Sequence, residues 1–208
     1  MANKDSASSR KPALSPGIAP PERIESAGLV LRRWAPEDFQ ARFEAVRDSF
    51  DHLHPWMPWA AEPPTLESQR EHAESQYGSW PSEGNCNYGI FDPSSGDVLG
   101  ALGLHDRIGP GALDIGYFCH VRHTGKGVIT RAAAAATRAA LELEGIDRVM
   151  IRCDEANAPS AAVPRRLGYR LDRIEDSKIT APAETGRRMV WIMVRGEFAD
   201  SPADVLSR

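Results

Sequence analysis

The segment Arg122-His-Thr-Gly-Lys-Gly127 lies between a run of strand-forming residues, Ala112 to Val121, and an alanine-rich stretch that begins at Val128. A glycine turn leading from a strand into a helix presents unpaired backbone N–H groups and the positive end of the helix dipole, which together favour an anion. Gly125 and Gly127 let the backbone come close to that anion, and Arg122 and Lys126 can add side-chain charge for a phosphate. Three phosphate ligands compete on this reading. A nucleotide-hydrolysing loop needs Gly-x-x-x-x-Gly-Lys-Ser/Thr, which the chain lacks. A dinucleotide site calls for a third glycine where Thr130 stands, although Asp154 and Glu155 could mimic its ribose-binding acid. The third ligand is coenzyme A.

Other reactive side chains are weaker candidates. His120-x-x-His123 has neither the spacing of one helical turn nor a third ligand nearby, so no metal is expected. Cys119 beside His120 invites covalent transfer through the thiol, but neighbours in a strand point to opposite faces, and direct transfer is expected instead. Cys86, Cys119 and Cys153 are an odd number with no Cys-x-x-Cys pair, which reads as reduced thiols in a cytoplasmic protein.

The elements that must position these groups follow from periodicity and turn chemistry. Residues 1–27, rich in Ser and Pro, read as a flexible tail. Leu29 to Trp34 is a short strand, and Pro36 opens a helix in which Phe39, Phe43, Val46 and Phe50 recur at helical spacing. The proline-rich loop His52 to Pro64 carries Trp56 and Trp59, which either cap the core or line a ligand site. Thr65 is the N-cap of a second helix running to about Trp80 and ended by Pro81 and Gly84. Asn87 to Phe91 and Val98 to Leu104 form a hairpin, and Ala112 to Val121 adds a third antiparallel strand. A long helix from Val128 to Glu144, a strand from Arg148 to Cys153, a short helix from Asn157 to Leu167 and two strands near 169–174 and 188–195 complete the pattern. The strand, turn, helix and strand around the glycines form a right-handed crossover. The expected fold is α/β: one domain, residues 28–195, with a central mixed, mostly antiparallel sheet of about seven strands and helices on both faces, followed by a C-terminal tail, 196–208.

Asn157-Ala-Pro-Ser160 followed by Arg166-Leu-Gly-Tyr169 stands just after the strand paired with the one before the glycine turn. With Arg122-x-x-Gly125-x-Gly127, this pair of motifs resembles the GCN5-related N-acetyltransferase (GNAT) superfamily. Leu29 to Trp34, Leu53 to Trp59 and Ile115-Gly-Tyr117 resemble its RimJ/RimL-like branch, which acetylates N-terminal amines of ribosomal proteins. The resemblance spans residues 28 to about 195. It implies acetyl-CoA as cosubstrate, with Cys119, backbone amides around Val121 and from Thr124 to Val128 (Gly125, Lys126 and Gly127 included) and the Arg122 side chain at the pyrophosphate. Asn157 would bind the pantetheine arm. Ser160 would give a proton to the leaving thiolate, although a serine here is equally a residue of the helix N-terminus.

An amine that attacks a thioester must be neutral, and the developing oxyanion needs a donor. Asp114 lies where relatives carry a carboxylate, and would act as base directly or through a water. His105 is a rival, because an imidazole near neutrality suits amine deprotonation, and binding of the small neutral fraction of the amine is the third option. A backbone N–H near Phe118 or Cys119 would serve the oxyanion. Trp56, Trp59 and His105 are the expected acceptor-side contacts. Two departures stand out. Arg131 occupies a position where the long helix often has glutamate, and Pro164 falls inside the short helix, where a missing N–H removes one helical bond and threatens the placement of Ser160.

Composition narrows the partners. The 208 residues carry 25 basic and 29 acidic side chains, a net charge of −4, which argues against nucleic-acid backbone binding as the main activity. No apolar run reaches the ~18 residues of a membrane span, and the first residues lack a signal-peptide core. The expected acceptor is a protein or peptide α-amine. Alternatives are a small-molecule amine, such as an aminoacyl nucleotide stacked on Trp56, Trp59 and Trp80 or an aminoglycoside held by acidic residues, and a non-catalytic acyl-CoA-sensing module. A homodimer is compatible with the size, and no interface is marked.

Overall fold

The computed structural model describes residues 11–78 and 85–208. Eight strands form one sheet: β1 (Arg23–Ser26), β2 (Leu29–Arg33), β3 (Asn85–Phe91), β4 (Val98–Gly109), β5 (Ala112–Cys119), β6 (Arg148–Asp154), β7 (Arg170–Asp176) and β8 (Arg187–Val194). Their order across the sheet is β1-β2-β3-β4-β5-β6-β8-β7. Every neighbouring pair is antiparallel except β5 and β6, which are parallel as the crossover requires.

The helices are α1 (Phe39–Asp48), α2 (Phe50–Leu53), α3 (Leu66–Gly78), α4 (Val128–Leu141), α5 (Ala158–Arg166), α6 (Arg195–Phe198) and α7 (Pro202–Leu206). Alternation along the strands divides the core. Leu31, Tyr88, Ile90, Leu104, Ile115 and Ile151 pack on the face covered by α4 and α5. Trp34, Phe91, Val46 and Phe118 pack on the other face, where α1 and α2 lie. The alanine block Ala132–Ala136 of α4 is fully buried, because only small side chains let a helix approach a sheet this closely on one side and α7 on another. Thr65 caps α3 as expected, its Oγ1 accepting the Ser68 N–H at 3.1 Å. The expected helix end at Trp80, Pro81 and Gly84 lies outside the described residues.

Both expected tails differ from a solvated chain where they are described. β1 pairs along β2, so the sheet begins at Arg23 and not near residue 28. Upstream, Asp106 accepts the Ala13 and Leu14 N–H groups at 2.8 and 3.3 Å, and the Tyr88 hydroxyl donates to the Pro21 carbonyl at 2.8 Å. At the other end Arg138 of α4 pairs with Asp204 of α7 at 2.5 Å, and the Ser26 hydroxyl donates to the Ser207 carbonyl. Low aliphatic periodicity hid these segments, since a few backbone-directed hydrogen bonds anchor them.

Candidate active site

β5 pairs with β6 only through residues 112–115. Beyond Ile115 the two strands are no longer paired, and Tyr117, Phe118 and Cys119 of β5 line a cavity of about 790 Å³. One wall is the glycine turn and the start of α4, another is Asn157, Pro159, Ser160, Ala162 and Val163 of the α5 segment, and a third is His52, Leu53, Trp56 and Met57. In the β4–β5 ladder the His120 N–H donates to the Leu99 carbonyl at 2.9 Å. Bonded and non-bonded pairs alternate in such a ladder, so the Cys119 N–H, and not that of Phe118, points to the side of β5 where β6 is no longer paired. Of the two N–H groups expected to meet an oxyanion, this is the one that faces the opening.

The glycine turn has the form an anion site requires. Gly125 and Gly127 both have φ of +73°, and a Cβ built on either would meet no atom within 4 Å, so open space faces the backbone there. Gly127 is the N-cap of the 14-residue helix α4. Among the described residues nothing accepts the N–H groups of Gly125, Lys126 or Gly127, and the first-turn N–H groups of α4 have no helical partner by construction. Lys126, Arg131 and Arg166 add positive charge to the wall, while Val128, Ile129, Ala162 and Val163 make the rest apolar. A long ligand with a phosphorylated end and a thin, amphipathic arm fits this lining, as coenzyme A would.

The expected coenzyme contacts divide. Cys119, Thr124, Gly125, Lys126, Gly127, Val128 and Asn157 all line the cavity. Val121 and Arg122 do not. The Val121 N–H donates to the hydroxyl of buried Ser49 at 3.0 Å, and the Arg122 guanidinium is paired with Asp48. These two residues instead fasten the α1–α2 corner to the phosphate turn. Asn157 has a structural duty as well, for its Oδ1 accepts the Ser160 N–H at 3.1 Å and caps α5.

Of the two residues expected to do chemistry, Ser160 lines the cavity and Asp114 does not. Asp114 and Tyr117 are an odd step apart along β5, so they point to opposite faces of the strand. Asp114 is 0% exposed, and its carboxylate accepts from Arg107 Nε at 2.6 Å and from Arg152 Nε and Nη2, each at 3.0 Å. A carboxylate so buried and paired is out of reach of an amine in the cavity. His105 sits opposite Asp114 on the same face, hydrogen-bonded through Nδ1 to Asn85 Oδ1 at 2.8 Å. Burial, reinforced by Arg107, pushes its imidazole down to about 4, which makes it a weak base.

The tryptophans divide too. Trp56 lines the cavity, whereas Trp59 is 54% exposed and leans on Phe118 with ring centroids 5.7 Å apart. Trp80 lies outside the described residues. The His120 and His123 rings meet edge to face at 5.4 Å, and His120 accepts the Arg122 N–H at 3.1 Å. Burial pushes the Cys119 thiol up to about 11, so it is protonated near neutrality and poorly suited to carry an acetyl group.

Two groups on this site received no role from the sequence, and a third nearby, Asp154, only that of a ribose-binding acid. Tyr117 shares a face with Cys119, and strand alternation from Cys119 would have found it. Met57 lines this cavity and a smaller one formed with Ile179, Thr180, Ala181 and Pro182. Asp154, at the end of β6, accepts from the Ala156 N–H, the Thr185 N–H and hydroxyl, and the Gly186 N–H. Burial alone would raise its carboxyl, but these donors outweigh burial and hold it below the usual carboxylate range. The loop it anchors crosses to the Trp56 segment, where the Ala183 N–H donates to the Pro55 carbonyl at 2.9 Å.

Comparison with known proteins agrees with this geometry. Residues 28–170 match the acetyltransferase (GNAT) domain family. YdaF of Bacillus subtilis (strain 168), named as a candidate ribosomal N-acetyltransferase, is 27% identical over 144 residues, 68% of this chain and 77% of that protein. Mycobacterium smegmatis RimJ in complex with CoA-disulfide superposes with a TM-score of 0.74 at 19% identity, covering 93% of this chain and 94% of RimJ. RimL, a ribosomal L7/L12 α-N-protein acetyltransferase in complex with coenzyme A, gives 0.70 at 22% identity over 83% and 98%. The microcin C7 self-immunity acetyltransferase MccE, in complex with acetyl-CoA and AMP, gives 0.73 at 17% identity over 80% and 92%. With the match spanning most of the chain and the glycine turn opening on a cavity of the required lining, the chain belongs to the GNAT family and is an acetyl-CoA-dependent N-acetyltransferase.

Proposed function

We propose that this enzyme acetylates the α-amine of a protein or peptide N-terminus by direct attack in a ternary complex. The observation that carries the reading is the absence of a carboxylate from the cavity wall among the described residues. Asp114 is closed off by two guanidiniums and His105 is too weakly basic, which favours an acceptor that supplies its own neutral amine over the wall imidazoles His52 and His123 as bases. At pH 7.4 an α-amine with pKa near 8 is roughly a fifth neutral, whereas a lysine ε-amine near 10.4 is neutral at only about 0.1%. The names of YdaF and RimL point to the same acceptor class.

Acetyl-CoA supplies the thioester carbonyl and the thiol leaving group. The turn from Gly125 to Val128 holds its phosphates, the Cys119 N–H faces the carbonyl oxygen, and Ser160 gives its hydroxyl proton to the departing sulfur, regaining one from the nitrogen that has attacked. The high pKa of Cys119 favours this single displacement over a thiol-bound intermediate.

A second reading keeps the same chemistry with an aminoacyl nucleotide as acceptor. Trp56 on the wall offers a stacking surface, and MccE is a structural neighbour. A polycationic aminoglycoside is disfavoured by the cationic wall. The deciding experiment is thiol release from acetyl-CoA against peptide N-termini, aminoacyl nucleotides and aminoglycosides, with a pH profile on the best acceptor. Peptide turnover whose acidic limb follows the acceptor's own pKa, unmoved in His52→Gln, is the expected result. His52 is the exposed imidazole on the wall, and a limb that moves with it would replace this reading with a dedicated base.

A further inference from the structure

We propose that Pro164 and Tyr117 act together as positioning residues for Ser160, the proline by leaving the Ser160 carbonyl free and the tyrosine by taking it up. In a regular helix the N–H of residue 164 would donate to the carbonyl of residue 160. Proline has no N–H, and α5 contains Pro164 in its interior. The Ser160 carbonyl instead accepts the Tyr117 hydroxyl at 3.0 Å. That bond uses the one proton a tyrosine hydroxyl has, so toward Ser160 Oγ, 3.3 Å away, Tyr117 Oη acts only as an acceptor.

Ser160 is thereby held at two backbone points, its N–H by Asn157 and its carbonyl by Tyr117, while its hydroxyl proton rests on the same tyrosine oxygen, from which it turns to the sulfur as the thiolate leaves. Its other polar neighbour, the Cys153 thiol, is raised by burial and stays protonated. Tyr117 can reach across because β5 has already parted from β6 at Ile115. A proline inside a helix is otherwise a destabilising choice; one turn after Ser160 it releases the acceptor that aligns the tyrosine, which sits on the cavity wall with Ser160.

This inference rests on the reading of Ser160 as the donor to the leaving sulfur, and the test separates the two. Steady-state kinetics and thermal melts are compared for wild type, Ser160→Ala, Tyr117→Phe, Pro164→Ala and the Tyr117→Phe/Pro164→Ala double variant. Ser160→Ala is expected to lower kcat about 100-fold. Tyr117→Phe and Pro164→Ala are each expected to lower kcat about tenfold with both KM values within about twofold, and the double variant to be no slower than Tyr117→Phe alone. Pro164→Ala restores a helical hydrogen bond, so its Tm should hold or rise while kcat falls. A merely structural proline would not produce that divergence. An unchanged kcat in Pro164→Ala, or single effects that multiply in the double variant, would overturn the proposal alone. Full turnover by Ser160→Ala would overturn it together with the role of Ser160.

Discussion

The two ends of the cavity are built from different materials. At the end we assign to the phosphates, a few consecutive residues present backbone N–H groups from a turn whose shape depends on two glycines at φ +73°. At the other end, which we assign to the acceptor, the wall comes from His52 and Leu53 of α2 and from Trp56 and Met57, and the loop between β7 and β8 braces that segment from outside the cavity, its Ala183 N–H donating to the Pro55 carbonyl. Backbone recognition tolerates side-chain change everywhere except at the glycines. A wall of remote parts can be retuned by substitutions far from the ligand, which suits an end that sets acceptor specificity.

The sharpest break in that comparison is Gly127→Glu. The side chain forces a strained left-handed backbone and puts a carboxylate where phosphates bind, so calorimetry should show acetyl-CoA binding weakened more than 100-fold with the fold retained in circular dichroism. Wild-type affinity in this variant would remove the phosphate assignment of the turn.

Next in size is Asp154→Asn, which tests the acceptor end. The amide nitrogen cannot accept, so one oxygen's share of the Thr185 and Gly186 contacts is lost. The loop should loosen from Pro55 and the acceptor KM should rise about tenfold, with acetyl-CoA affinity within about threefold. Parallel loss of both affinities would show that the two ends are not separable.

The same contrast explains what could be read in advance. The crossover, the glycine turn, and the Asn157 and Ser160 segment were legible because each is local, with φ, capping and periodicity written in adjacent residues. Cys119, Thr124 to Val128, Asn157, Ser160 and Trp56 reach the cavity for that reason. The resemblance places Val121 and Arg122 at the coenzyme, and nothing near them in sequence reveals Ser49 and Asp48, more than seventy residues away. β1 was assigned to a tail because a four-residue strand gains its order from pairing with β2, not from its own pattern. Asp114 is the instructive case. Its residue type suited a base, yet counting three residues to Tyr117 already places it on the other face, and the arginines that close it off come from β4 and β6.

That placement predicts a smaller effect, on stability and not on chemistry. Asp114→Asn leaves the Arg107 and Arg152 guanidiniums facing a neutral group, of which Arg152 is the better buried. A loss of about 2 kcal/mol is expected from denaturant melts, the partial exposure of Arg107 keeping it below the value for a fully buried pair. The acidic limb of the rate profile should stay where it is. A limb that moves with this substitution would return Asp114 to the role of base and weaken the case for an α-amine.

The smallest effect belongs to His105, and its sign follows from linkage. Burial, with Arg107 adding to it, lowers the folded imidazole from 6.5 to about 4, so between those values the unfolded chain binds the proton that the folded chain refuses. Stability from this group is complete above about pH 6.5 and is lost as pH falls toward 4. His105→Gln keeps a polar group near Asn85 and removes the titration, so its acid-unfolding midpoint should move to lower pH while turnover at neutral pH is unchanged. The two readouts separate the roles that an imidazole at this position could hold. Loss of a base would lower kcat near neutrality without regard to acid stability, whereas loss of a neutral histidine packed beneath Gly103 and Gly116 alters the acid limb of unfolding and leaves turnover near neutrality unchanged.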